Sequence, residues 1–177
     1  TSPVKEGNLA MEAANSFVKA GQLDAKQAAK VNEGLEKVKN YYSTAGTVAF
    51  RSGDAAAAAA AYIAADQVQN MPGFTGKKNG DFIYNAGLTY VMDGEKNPAS
   101  FAKGAEALTK ALESGYTDED GNIYYYLFHA YYGQKDSSVR VANMQRAKQV
   151  LMEGMAKFPA NTRIIEGLIS IYTDPEN

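Results

Sequence analysis

The chain has 177 residues, of which 45% are hydrophobic and 21% charged, with a net charge of −2, one His and no Cys or Trp. Roughly 70% of the unfolded surface can be buried at this length, enough for one self-supporting globular or repeat domain. Lack of thiols excludes disulfides, zinc-thiolate and iron-sulfur sites and a cysteine nucleophile; one His cannot build a multi-histidine metal site; and 18 Lys and Arg against 20 Asp and Glu lack the positive field of a nucleic-acid binder.

Helix formers run from end to end and β-branched alternation is almost absent, which predicts an all-α protein. Leu9, Ala13, Phe17 and Ala20 recur at helical spacing, so a first helix is expected over residues 4–20, with Gly21 at its C-terminal end. Asp24 caps a segment carrying Ala28, Val31, Leu35 and Val38, which either continues through Tyr41 to Ser52 or breaks near Asn40. Gly53 ends that region and Asp54 caps a helix that runs through seven consecutive alanines to about Gln69. Residues 71–80 form a Pro/Gly/Lys loop, and Asp81 starts a helix ending at Asp93-Gly94. Asn97 is the expected N-cap, with Pro98 at the first position, of a helix that Gly115 closes. Asn122 begins a Tyr-rich helix ending near Gly133. Ser137 or Ser138 starts a long helix ending before Pro159, and Asn161 or Thr162 caps a last helix reaching Tyr172. No apolar run approaches the ~18 residues that span a bilayer. The Thr1-Ser2-Pro3 opening without an initiator Met and the turn-like Asp174-Pro175-Glu176-Asn177 close suggest an excised segment. If a leader has been removed, an exported bacterial protein is expected.

Internal repetition is the strongest signal. The segments beginning at Ala45, Ala86, Leu127 and Leu168 superpose at one constant spacing of 41 residues, the mark of a repeat array. Residues 1–39 then form N-terminal helices, a degenerate repeat or a cap, and residues 40–177 an array of three helix pairs and one terminal helix. A lone pair cannot bury its apolar stripe, so consecutive pairs stack, with Gly46 and Ala58 small where two helices touch. The residues of these units resemble the tetratricopeptide repeat, whose first helix carries Trp-x2-Leu-Gly-x2-Tyr, the Trp being absent here, and whose second carries Ala-x3-Phe and then Pro. Tyr42, Ala45, Gly46, Ala49, Ala58, Tyr62, Ala65 and Pro72 carry the likeness in the first unit. Ile83, Ala86, Gly87, Tyr90, Gly104, Leu108 and Ala111 carry it in the second. Tyr124, Leu127, Tyr131, Ala147, Leu151, Gly154 and Pro159 follow in the third, and Ile165, Leu168 and Tyr172 in the fourth. The longer spacing, and the Leu112-Glu113-Ser114-Gly115-Tyr116 close of the second unit, resemble the Sel1-type relative. The resemblance implies a right-handed α-α superhelix, a solenoid of antiparallel helix pairs that binds proteins or peptides on a concave groove and carries no cofactor.

That resemblance also implies where ligand contacts lie. By register they fall on Asn40, Ser43, Thr47 and Phe50; Asp81, Tyr84, Leu88 and Val91; Asn122, Tyr125, His129 and Tyr132; and Arg163, Glu166 and Ser170. Tyr84, Leu88, Asn122, Tyr125, His129, Tyr132, Phe50 and Arg163 form the expected groove, because amphipathic rings with few rotamers suit recognition. Tyr124 and Tyr131 fall on packing positions instead. His129 is the one candidate acid or base near neutral pH, and no Ser or carboxylate partner is evident for it, so no catalytic residue is assigned. Asp118-Glu119-Asp120-Gly121-Asn122 starts like a calcium loop but places Ile123 where Gly is required, so a cap and turn is expected and no metal site. Gly73-Phe74-Thr75-Gly76-Lys77-Lys78 lacks both the leading Gly and the closing Ser or Thr of a phosphate loop. The expected function is a non-enzymatic scaffold binding a protein or peptide. A small-molecule or glycan module is the alternative, since Tyr and Asn rows also suit sugars, and the oligomeric state and partner identity are left open.

Overall fold

The computed structural model describes residues 3–174, with side chains described from residue 8, and these residues are all-α with no strand. Eight α-helices follow in order: α1 (Pro3–Leu23), α2 (Ala28–Arg51), α3 (Ala55–Gln69), α4 (Asp81–Gly94), α5 (Ala99–Glu113), α6 (Asn122–Tyr132), α7 (Arg140–Lys157) and α8 (Thr162–Thr173), with a 3₁₀ turn (Ala25–Gln27) before α2. They divide into two compact units, one through Phe82 and one from Ile83 onward.

In the first unit, α1 runs three residues past Ala20. Gly21 does not end the helix; its missing side chain admits Val31 of α2, whose methyl would lie 3.1 Å from a Cβ there. Asp24 accepts the Lys26 N–H and caps the 3₁₀ turn. α2 then continues unbroken through Asn40, so the expected boundary between residues 39 and 40 falls inside a helix. Gly53, at φ +80°, makes the turn into α3, and the Asp54 carboxylate accepts the Ala57 N–H at 2.9 Å, the cap read from the sequence. The alanine tract gives α3 a face without bulk: Ala58 and Ala59 are fully buried, and the Tyr62 ring lies against Gly46. After α3, the buried Gln69 side chain donates to the Asn79 carbonyl and accepts the Asn79 N–H, each at 2.9 Å. The loop between α3 and α4 is therefore held at both ends rather than merely solvated.

In the second unit, consecutive helices are antiparallel and alternate helices parallel. Gly87 faces Leu108, Gly104 faces Val91 and Gly94 faces Phe101, which lays α5 antiparallel on α4. Gly154 against Tyr124 does the same for α7 on α6, and Gly167 against Leu151 for α8 on α7. α5 starts one residue later than expected: Pro98 occupies the cap position without a side-chain bond, and Asn97 contributes its carbonyl to the Ser100 N–H. α7 likewise begins at Arg140, not at Ser137 or Ser138, because Asp136 organises the preceding turn by accepting from the Ser138 backbone and hydroxyl. Asn161 caps α8 as expected, accepting the Arg163 and Ile164 N–H groups.

Candidate functional site

The 41-residue spacing becomes a physical neighbourhood in the second unit. Tyr84 of α4 meets Tyr126 of α6 at 6.4 Å, Arg163 of α8 donates to the Tyr126 hydroxyl at 3.1 Å, and Asn161 donates to the Asp120 carbonyl at 2.7 Å. These pairs lie 42, 37 and 41 residues apart in sequence. α4, α6 and α8, each expected to be a first helix, are thus parallel neighbours with α6 in the middle.

Asp118 sets the start of α6. Its carboxylate accepts the Asn122 and Ile123 N–H groups at 2.8 Å each, so the acidic segment is a helix cap. From there α6 projects rings in several directions. Tyr124 is fully buried against α7, and its hydroxyl accepts from Lys157 at 2.7 Å, raising the Lys157 pKa. The Tyr131 and Thr109 hydroxyls share a hydrogen bond at 3.2 Å, with the Arg146 guanidinium 5.9 Å from the Tyr131 ring. Tyr124 is thus a core residue, and Tyr131 is half-buried.

The remaining rings form one connected row. Tyr116 stacks on Tyr84 at 5.0 Å; Tyr84 reaches Tyr126; Tyr126 meets Tyr125 at 5.7 Å; and Tyr125 meets His129 at 4.4 Å with the rings 73° apart. Phe128, buried beneath, touches His129 at 4.8 Å and Tyr132 at 5.3 Å. The Arg163 guanidinium lies 5.9 Å from the Tyr125 ring. Burial holds the His129 pKa below its ordinary value of 6.5 against the opposing pull of Glu95, so the imidazole is neutral at pH 7. Burial, with Asp118 second, raises that of Tyr84 and keeps its phenol protonated. The Tyr84 and Tyr125 hydroxyls and the His129 nitrogens make no hydrogen bond among the described residues, and no buried polar side-chain atom there lacks one. Those three polar tips therefore reach solvent.

The expected groove residues separate accordingly. Tyr84, Tyr125, His129 and Arg163 come together, and Leu88 lies half-buried one turn beyond Tyr84 on α4. Tyr132 is committed elsewhere: its hydroxyl donates to Asp174 at 2.7 Å, while Arg140 pairs with the same carboxylate at 3.6 Å. Asn122 is tied to Asp118 and Asn161 where α6 and α8 begin. Val91 is buried against Gly104, and Phe50 is exposed near the end of α2 in the first unit. Tyr116 and Tyr126 belong to the row although neither was singled out for it. The offset that pairs Tyr84 with position 125 or 126 was the available signal. Beside Arg163 lies a polar cleft of about 480 Å³, lined by Glu119, Asp120, Asn122 and the segment from Phe158 to Arg163.

Among the described residues no group of three His, Cys, Asp or Glu could hold a metal ion, and no helix is long and apolar enough to cross a membrane. No family profile, curated protein or solved structure matches this chain.

Proposed function

We propose that the chain is a non-enzymatic helical-repeat scaffold of the tetratricopeptide type with Sel1-like spacing, its pairs winding as a right-handed superhelix, that binds an extended protein segment across α4, α6 and α8. The observation that carries this reading is the row of unpaired polar tips, Tyr84 Oη, Tyr125 Oη and the His129 ring nitrogens, standing on a packed aromatic base. Such tips match the amides and carbonyls of an extended backbone, and the preformed base lowers the ordering cost of binding.

Ring geometry favours a peptide over a sugar. A sugar needs a flat, uncovered ring face, whereas Tyr125 meets Tyr126 at 66° and His129 at 73°, and Arg163 occupies its vicinity as well. Arg163 is the one cation among the eight expected groove residues, so capture of an acidic terminus by a basic clamp is not the proposed mode. Calorimetric titration of peptides and oligosaccharides into wild type and Tyr125→Ala tests the proposal. A peptide that binds wild type should lose about tenfold or more in affinity to the variant. Equal binding by both proteins would sink the groove assignment, and oligosaccharide binding alone would select the glycan alternative.

A further inference from the structure

A second cleft, of about 490 Å³, opens between α5, α6 and α7 and shares no residue with the tyrosine row. Small-molecule sites run to roughly 300–1,000 Å³, so the room suffices for a small ligand. Ala102 and Ala105 line it without side chains that would fill it.

Two of its polar groups are held in place from behind. Asn143 of α7 is only 4% exposed, and its Nδ2 donates to Gln134 Oε1 at 3.1 Å. Gln134 Nε2 donates in turn to the Ala130 carbonyl at 2.8 Å, which fixes the direction of both amides. Asn143 Oδ1 makes no hydrogen bond among the described residues, and no buried polar side-chain atom there lacks one. This oxygen is therefore the open end of a nearly buried side chain, and it opens into the cleft that Asn143 lines. One turn on, the Arg146 guanidinium lies 5.9 Å from the Tyr131 ring, and the Thr109 hydroxyl holds the hydroxyl of Tyr131. A ring rather than an anion thus positions the guanidinium.

α5 adds Glu106 and Glu113 to the same lining. Neither carboxylate, nor Arg146, takes part in a hydrogen bond or ion pair among the described residues, while Lys110 between the two acids is engaged. Opposite charges therefore line one cleft without neutralising each other, beside an amide oxygen that lacks a donor. An inorganic anion would meet Arg146 but also two carboxylates. A polyamine would meet the carboxylates but also Arg146, and a neutral sugar would leave all three ions unmatched. A molecule with an ammonium and a carboxylate on adjacent atoms matches both signs and supplies the missing donor.

We propose that this cleft binds a free α-amino acid. The ligand carboxylate accepts two hydrogen bonds from the Arg146 guanidinium, and the ammonium donates to Asn143 Oδ1 in the field of Glu106 and Glu113. The site lies apart from the tyrosine row, so its failure leaves the proposed function standing.

Calorimetric titration of the 177-residue chain at pH 7 with each standard L-amino acid tests the proposal. Inorganic phosphate and spermidine serve as single-sign probes. Any amino acid that binds is compared with its N-acetyl and its carboxamide derivatives. Arg146→Gln and the double variant Glu106→Gln with Glu113→Gln replace exposed side chains and should keep the wild-type circular dichroism spectrum. Asn143 is buried and is read without replacement, through its side-chain amide resonances in proton-nitrogen NMR. The proposal expects saturable one-to-one binding of at least one amino acid, and about tenfold or more weaker binding by Arg146→Gln, by the double variant and of both derivatives. It also expects a shift of the Asn143 amide resonances on titration. Absence of binding across the amino acids overturns it, as does equal binding by wild type and variants. Derivatives that bind like the parent, phosphate or spermidine that binds where amino acids do not, or an unmoved Asn143 amide would overturn it as well.

Discussion

Replacing Gly154 by Ala brings two effects of opposite sign to one atom. In a helix interior Ala is favoured over Gly by about 0.8–1 kcal/mol, so propensity alone predicts stabilisation. Packing opposes it: a Cβ on Gly154 would stand 2.7 Å from the Cβ and 2.8 Å from the Cγ of Tyr124, and 2.9 Å from Ile164 Cδ1. Tyr124 Cβ is fixed to the α6 backbone, its ring is buried, and its hydroxyl is held by Lys157. The ring has nowhere to swing, so α6 and α7 must part. Overpacking of this kind costs about 1–3 kcal/mol, and contact with an immobile atom belongs in the upper part of that range. The net expectation is a loss of about 1–2 kcal/mol, read as a lower urea midpoint at unchanged slope by far-ultraviolet circular dichroism. Ala156→Gly, at an exposed position of the same helix, supplies the propensity reference. A Gly154→Ala protein as stable as wild type, or more stable, would refute the packing of α7 on α6 described above.

Two further outcomes follow from the same packing and electrostatics. Ala58 is fully buried on α3, so Ala58→Leu should cost about 1–3 kcal/mol by overpacking; an unchanged melting temperature would contradict the contact face assigned to α3. The depressed His129 pKa means that, as pH falls, the unfolded chain takes up the His proton first, near pH 6.5, and the folded protein only lower. Stability should therefore fall as pH drops through 6.5 and level off below the folded pKa. His129→Gln should weaken this dependence, measured as urea midpoints between pH 5 and 8. Identical profiles for the two proteins would remove burial as the controlling influence on His129.

What was legible in the sequence was periodic. The 41-residue spacing could be read because α4, α6 and α8 recur at that interval, and small residues such as Gly46, Gly87 and Gly154 mark where rings and backbones approach. Asp54, Asn161 and Gly115 punctuate helices through their own side chains or φ angles, and these ends were readable too. Non-local causes were not. Gly21 has the composition of a helix end yet serves an approach by Val31 of another helix. Asn97 lost its capping role to the backbone of its own turn. Tyr132 occupies a groove position by register, but Asp174, 42 residues on, engages its hydroxyl, and no local pattern announces such a bond. Tyr116 joined the row from a loop, outside any helical register.

The central claim is that ligand meets the Tyr84, Tyr125 and His129 face of the second unit. Aromatic proton-carbon NMR of the Tyr and His rings, followed during titration with a peptide that binds, tests it most directly. The account predicts large shifts at Tyr84, Tyr125 and His129, with Tyr131 and Tyr172 nearly unmoved. Shifts confined to Tyr131 or Tyr172, with the three groove rings silent, would contradict it.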